Sequence, residues 1–355
     1  MEYYLYITEN CNLECTFCCN KQKREGNSNS KSPAEIASFI KQDMKKSGHE
    51  KNNVVFYGGE PLLNQKFMKE LIQETKNSGL SYVSFTNGTL LGSMDEFLLN
   101  NLDALLVSID GEERIHDKCR GKGTQKKIIE NLFKTRSRFN GKTIARMCFT
   151  PDSSIYSSVL SVINWFDNVY WQIENSSIKI INEKECLENY SEALGQLIGF
   201  WMNHLREGIM KNIIPFQAVT SSILFNRKHS GFRCGAGSNL IAVDINGNCS
   251  VCDDLIKEEK FCVGNIFEGI NHKKMNETVK NTFCGECEIK NICGGRCFRQ
   301  WVNFPEKSSF YCNATKLLVN KLNEKIPEIN GLIEKGIISK KEFDNPAIQF
   351  TEGIP

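Results

Sequence analysis

The chain has 355 residues, of which 44 are basic and 42 acidic, for a net charge of +2. That balance excludes a strongly basic face as the organising feature, so neither nucleic acid nor an anionic membrane is an expected partner. The start, MEYYLYITEN, has no basic segment followed by an apolar one, and no run of about 18 apolar residues follows, so a cytoplasmic protein is expected.

Residues 3–8, YYLYIT, are an apolar, β-prone run and predict the first strand. Residues 32–48 predict a helix. Ser32 is its N-cap, Pro33 takes the first position, Glu35 completes a capping box and Gly48 ends it. Ile36, Phe39, Ile40 and Met44 recur at helical spacing between them. Further strands are predicted over 53–57, 82–86, 104–109, 143–150 and 169–174, with helices over 64–77, 95–102, 124–139 and 157–166. Residues 176–230 read as a helical bridge, and DINGN between LIAV and CSVC reads as a tight hairpin. The segment 316–355 reads as a helical tail interrupted by NEKIPEING. Six β-type runs alternating with helices predict an α/β fold, with a parallel sheet curved into a barrel-like form. In such barrels function sits on the loops after the strand C-termini. CNLECTFCC (11–19), GGEP (58–61), TNGT (86–89) and SIDG (108–111) all fall there.

Sixteen cysteines demand an explanation in a reducing compartment, where clustered cysteines hold metal or do redox chemistry. Nine lie between Cys234 and Cys312, and four lie in the first loop. Cys11, Cys15 and Cys18 are spaced C-x3-C-x2-C, with Phe17 before the third. Three thiolates on one short loop can hold three irons of a [4Fe–4S] cluster and leave the fourth open to a small molecule. Structural zinc instead favours four ligands in paired C-x2-C units, and Cys19, adjacent to Cys18, is poorly placed to supply the fourth.

The C-x3-C-x2-C loop followed by GGEP resembles the radical S-adenosylmethionine (SAM) superfamily. The resemblance implies a partial (β/α)6 TIM-like barrel over residues 1–175, with a SAM-binding cluster held by Cys11, Cys15 and Cys18. It implies that Gly58, Gly59, Glu60 and Pro61 meet the SAM amine through backbone carbonyls and the Glu60 carboxylate. The glycines would permit close approach to the ligand. It places Asn87, Ser108 and Arg120 among the SAM contacts. The second region, Cys234-x12-Gly247-x4-Cys252, then Cys284-x2-Cys287-x5-Cys293-x3-Cys297 and Cys312, resembles the SPASM extension of these enzymes. That implies a cysteine-rich auxiliary domain over 231–315 holding two further [4Fe–4S] clusters, three in all. Cys284, Cys287, Cys293 and Cys312 are implied at the cluster farther from SAM, and Cys234, Cys252 and Cys297 at the nearer one. No thiol follows closely after Cys234, so the nearer cluster is expected to keep an open iron, with Cys249 and Cys262 as the alternatives that would close it.

The implied chemistry is reductive cleavage of SAM to methionine and a 5′-deoxyadenosyl radical, which takes hydrogen from an unactivated C–H bond of a peptide or protein. Thioether or carbon–carbon crosslinking, formylglycine formation and epimerisation are the open outcomes. Electrons would come from an external donor such as flavodoxin or ferredoxin. Asp253 matches the general base of anaerobic sulfatase-maturating enzymes, and the Cys119 thiol is a candidate hydrogen donor. Substrate recognition is expected from the barrel mouth, the bridge, the tail or a partner. The rival classes are an iron–sulfur electron carrier with fully ligated clusters and a zinc-stabilised binding module.

Overall fold

A computed structural model describes residues 1–18, 30–150, 153–174, 182–229, 231–279, 284–303 and 308–355. Cys19 lies outside them. The chain divides into two compact units.

The first unit comprises Met1–Ser108, Asp117–Thr143 and Gly235–Asn281. Its parallel strands are β1 (Glu2–Thr8), β2 (Asn52–Gly58), β3 (Leu80–Thr86) and β4 (Ala104–Ser108). Helices α1 (Pro33–Ser47), α2 (Gln65–Glu74) and α3 (Glu96–Asn101) connect them. The α1 boundaries follow from local chemistry. Ser32 accepts from the Glu35 backbone N–H, Glu35 reaches back to the cap, and Gly48 closes the helix at φ 66°. The expected helix at 64–77 forms as α2 and is preceded by a single 3-10 turn at Pro61–Asn64. A short helix that the sequence did not suggest, α4 (Glu113–Arg120), precedes α5 (Thr124–Arg136).

The DINGN hairpin forms as expected, between β7 (Leu240–Val243) and β8 (Asn248–Ser250). Its place in the sheet was not expected. β7 pairs in parallel with the outer side of β1, Tyr3 opposite Ile241. Strands β9 (Cys262–Asn265) and β10 (Gly269–Ile270) follow, with helix α9 (His272–Thr278) after them. The order in this unit is β10-β9-β8-β7-β1-β2-β3-β4. All four residues of β7 are buried, so an apolar strand covers what would otherwise be an open edge. Residues 235–281 therefore belong to the same compact unit as β1–β4.

The second unit comprises Ile109–His116, Ile144–Cys234 and Thr282–Pro355. β5 (Lys142–Phe149) and β6 (Asn168–Ile173) pair in parallel, so all six expected strands are present. Around them lie α6 (Ile155–Val162), α7 (Glu183–Arg206), α8 (Ile214–Leu224), α10 (Lys290–Cys293), α11 (Phe298–Asn303), α12 (Ser308–Asn323) and α13 (Ile326–Glu334). Trp171, Trp201 and Phe216 form an edge-to-face core here and are fully buried. Pro327 explains the interruption read in the tail. It stands in the first turn of α13, where its missing N–H costs nothing, so it starts a new helix.

Candidate functional site

The loop after β1 is held from two sides within the first unit. From the β3 side, the Asn87 side-chain amide donates to Asn12 Oδ1 at 2.8 Å and lies 3.9 Å from Cys11 Sγ. Asn12 in turn donates to Thr89 Oγ1 at 2.8 Å. From the α4 side, the Thr16 N–H donates to the Cys119 carbonyl at 2.9 Å. The Arg120 guanidinium lies 5.0 Å above the Phe17 ring, with Nη1 4.0 Å from Cys15 Sγ. Phe17 thus seats the arginine beside a cysteine. Asn12 and Thr89 escaped sequence reasoning, although both stand inside motifs that it marked.

The donors fit an iron–sulfur cluster. Three thiols share one loop, and an amide and a guanidinium face two of their sulfurs, where they stabilise negative sulfur and tune its potential. Among the described residues, no three His, Cys, Asp or Glu side chains converge on a single-ion site. A four-iron cube, in which each cysteine meets its own iron, needs no such convergence.

The GGEP turn crosses the backbone that leads into the cysteine loop. Gly59 N–H donates to the Thr8 carbonyl at 2.8 Å and Glu60 N–H to the Asn10 carbonyl at 2.8 Å. A Cβ on Gly58 would lie 2.2 Å from Thr8 O, and one on Gly59 would lie 2.0 Å from Asn10 O. The glycines let the end of β2 pass against the backbone leading into the cysteine loop. Close approach of chain to chain is required here. Gly59→Ala is expected to cost about 3 kcal/mol or more, because backbone on both sides must move. Urea unfolding measures this, and a midpoint equal to wild type would show that the crossing is not tight.

Glu60 likewise turns inward. It is 1 % exposed, and its carboxylate accepts from Thr86 Oγ1 at 2.7 Å, Asn87 N–H at 2.7 Å and Leu62 N–H at 3.1 Å. Burial raises its pKa to about 7, against the pull of these donors. The side chain ties the β2 turn to the β3 loop that carries Asn87. Pro61 opens the 3-10 turn, and Ser108 ends β4, half-buried.

Asp253 is fixed beside Cys252. Its carbonyl accepts from the Tyr6 hydroxyl at 3.0 Å, and its Oδ1 lies 3.9 Å from Cys252 Sγ. An ion pair missed in the sequence, Lys257 with Glu9 at 2.7 Å, ties the same segment to the end of β1. Cys249 is fully buried on β8 opposite Gly264, and Cys262 stands opposite the next residue, Ser250, across a register shift. Burial, then Cys262, pushes the Cys249 thiol well above its usual range.

In the second unit, Cys284, Cys287, Cys293 and Cys312 line one pocket with Arg296 and Trp301. Four thiols with a cation beside them suit a cluster of negative charge. Cys234 and Cys297 belong to this unit, while Cys252 belongs to the first. No helix among the described residues is long and apolar enough to cross a membrane.

Residues 5–154 match the radical SAM superfamily. A cysteine-type anaerobic sulfatase-maturating enzyme of Clostridium novyi (strain NT) is 24% identical over 364 residues, spanning 88% of this chain and 92% of that protein. The solved structure of native anSMEcpe with bound AdoMet and Cp18Cys peptide superposes with a TM-score of 0.74 at 19% identity, covering 94% of this chain and 99% of that one. Streptococcus suis SuiB bound to the precursor peptide SuiA gives a TM-score of 0.56 at 15% identity, over 87% of this chain and 73% of that one. The chain carries a radical SAM domain, with the fold of these structures and a cysteine-rich C-terminal region.

Proposed function

We propose that this radical SAM chain reductively cleaves SAM and removes hydrogen from a peptide or protein, leading to a thioether or carbon–carbon crosslink. The observation that carries the reading is the Cys11–Cys18 loop, held beside Asn87 and Arg120 at the ends of parallel strands. When bound there, a [4Fe–4S] cluster supplies the electron that cleaves SAM. The chain's part is to bind and orient. Cys11, Cys15 and Cys18 hold three irons. The backbone of Gly58, Gly59 and Pro61, with Asn87, Ser108 and Arg120, positions SAM. Glu60 acts through Asn87, by fixing the loop that presents it. Cys284, Cys287, Cys293 and Cys312 hold one auxiliary cluster. Cys234, Cys252 and Cys297 hold the other, whose remaining iron is left for a substrate thiolate.

The functional division we propose is a core over 1–175, a bridge over 176–230, an auxiliary-cluster region over 231–315 and a tail over 316–355. A flavodoxin or ferredoxin supplies electrons. Two relatives above carry a bound peptide, which supports the substrate class. A second reading, oxidation of a Cys or Ser to formylglycine with Asp253 as base, is favoured by the full-length likeness to the Clostridium novyi enzyme.

Anaerobic reconstitution tests the cofactor content. About twelve irons per chain with matching sulfide are expected if three four-iron clusters form. Addition of SAM and dithionite should then release methionine and 5′-deoxyadenosine. A reconstituted protein that retains only zinc, or iron without deoxyadenosine formation, would sink the reading.

A further inference from the structure

In the second unit, one face of the β5–β6 pair meets helices. Trp171 packs on Phe216 of α8 and Phe149 on Tyr190 of α7. Side chains alternate along a strand, so Arg146, Tyr170 and Gln172 stand on the opposite face. In barrel folds, the face away from the helices is the interior, which side chains ordinarily fill.

That face is occupied by the chain itself. The two guanidinium ends of Arg146 each meet one Glu352 carboxylate oxygen at 2.8 Å, and Gln172 Oε1 accepts from the same arginine at 3.0 Å. The Tyr170 hydroxyl donates to the Ile354 carbonyl at 2.9 Å. Arg233 Nε donates to the Glu352 carbonyl at 3.2 Å, and Arg296 Nε to the Pro355 carbonyl at 2.8 Å. Three arginines and a tyrosine therefore hold Glu352, Ile354 and Pro355 through three main-chain carbonyls and one carboxylate. The only side chain read by a hydrogen bond is the acid. Gly353 follows it at φ 68°, and a Cβ there would lie 2.6 Å from Arg233 Nη2, so the contact also selects glycine.

The Arg146–Glu352 pair is only partly exposed, and desolvation offsets part of what such a pair contributes to stability. Bidentate pairing of arginine with a carboxylate is a recognition geometry. Arg296 is itself buried with φ 61°, a conformation rare for a residue with a side chain, which the surroundings must enforce. Burial pushes the Glu352 carboxyl up, but Arg146 outweighs it and holds the group below the ordinary range, so the pair is ionic.

We propose that Arg146, Tyr170, Arg233 and Arg296 form a binding site for a peptide segment in which a carboxylate side chain is followed by glycine, and that Glu352–Pro355 fills this site in cis. The proposal rests on the peptide-modifying reading for the class of ligand, yet its test needs no turnover.

The probe is the labelled peptide Phe-Thr-Glu-Gly-Ile-Pro, followed by fluorescence anisotropy without SAM. A chain ending at Phe350, shown to be folded by circular dichroism, is expected to bind it at least about tenfold more tightly than the full chain. Replacing the peptide's Glu by Gln, or its Gly by Ala, should each weaken binding about tenfold or more. Because the shortened chain removes acceptors from three arginines, of which Arg296 is buried, and can fail to fold, Glu352→Gln in the full chain is the second arm. It keeps the packing, loses the ion pair, and should also bind the peptide at least about tenfold more tightly than wild type. A folded shortened chain that ignores the peptide, or a Glu352→Gln chain no better than wild type, overturns the site. Binding as expected, alongside a reconstituted chain that forms no 5′-deoxyadenosine from SAM under dithionite, would instead count against the proposed function and leave the site standing.

Discussion

Simultaneous replacement of Cys11, Cys15 and Cys18 by Ala is expected to abolish release of 5′-deoxyadenosine from SAM under dithionite, while the protein keeps the rest of its iron. The three thiols share one loop, and the contacts that hold that loop come from other groups. Thr16 is tied to Cys119, Asn12 to Thr89 and Asn87, and Phe17 lies under Arg120. The loop should therefore keep its path without its thiols. Cys284, Cys287, Cys293 and Cys312 line their own pocket in the second unit and do not depend on it. Iron should fall by about four per chain, as for one four-iron cluster. Deoxyadenosine formation that survived in the triple variant would show that SAM is cleaved elsewhere, and loss of all iron would show that the two cysteine regions are not independent.

Glu60→Ala is the change with the next largest expected effect. It removes the acceptor of a buried hydroxyl and two buried backbone N–H groups and leaves a cavity, at a cost of about 3 kcal/mol or more. Glu60→Gln keeps an oxygen acceptor and should cost less. The same residue sets a pH dependence. Its carboxyl, ordinarily near 4.5, is raised to about 7 by burial, so between those values the native chain holds a proton that the unfolded chain has lost. The contribution of Glu60 to stability is then full below about 4.5, declines as the pH rises towards 7 and is lost above it. A shift of this size corresponds to about 3 kcal/mol. Glu2 is also raised to about 7 by burial and acts in the same direction. Urea midpoints for wild type and Glu60→Gln across this range separate the two, and the variant should lose about half of the decline. Parallel profiles would mean that Glu60 does not change its protonation on unfolding.

The signals legible in the sequence were those that act over a few residues. The capping box of Ser32 and Glu35, the glycine ending α1 and the DINGN hairpin depend on groups one to five positions apart, so composition and spacing specify them. The same holds for the run of six strands and for the cysteine spacings, because a loop of eight residues brings its own thiols together wherever the fold carries it. The interruption read at NEKIPEING is the break between α12, which ends at Asn323, and α13, which Pro327 opens.

What only the tertiary structure decided are the meetings of distant segments. No local pattern says that β7 lies parallel to β1, with Tyr3 opposite Ile241. That choice is made by an apolar strand finding an open edge. The glycines at 58 and 59 were legible as a demand for close approach, but which backbone approached was not. The Glu60 carboxylate could be placed in the turn by sequence, yet its partners, Thr86 and Asn87, came from the next strand. Glu352 and Arg146 stand 206 positions apart, and neither carries a mark of the other. Sequence order sets what each segment can form alone, whereas burial and the pairing of charge across the folded chain select which segments meet.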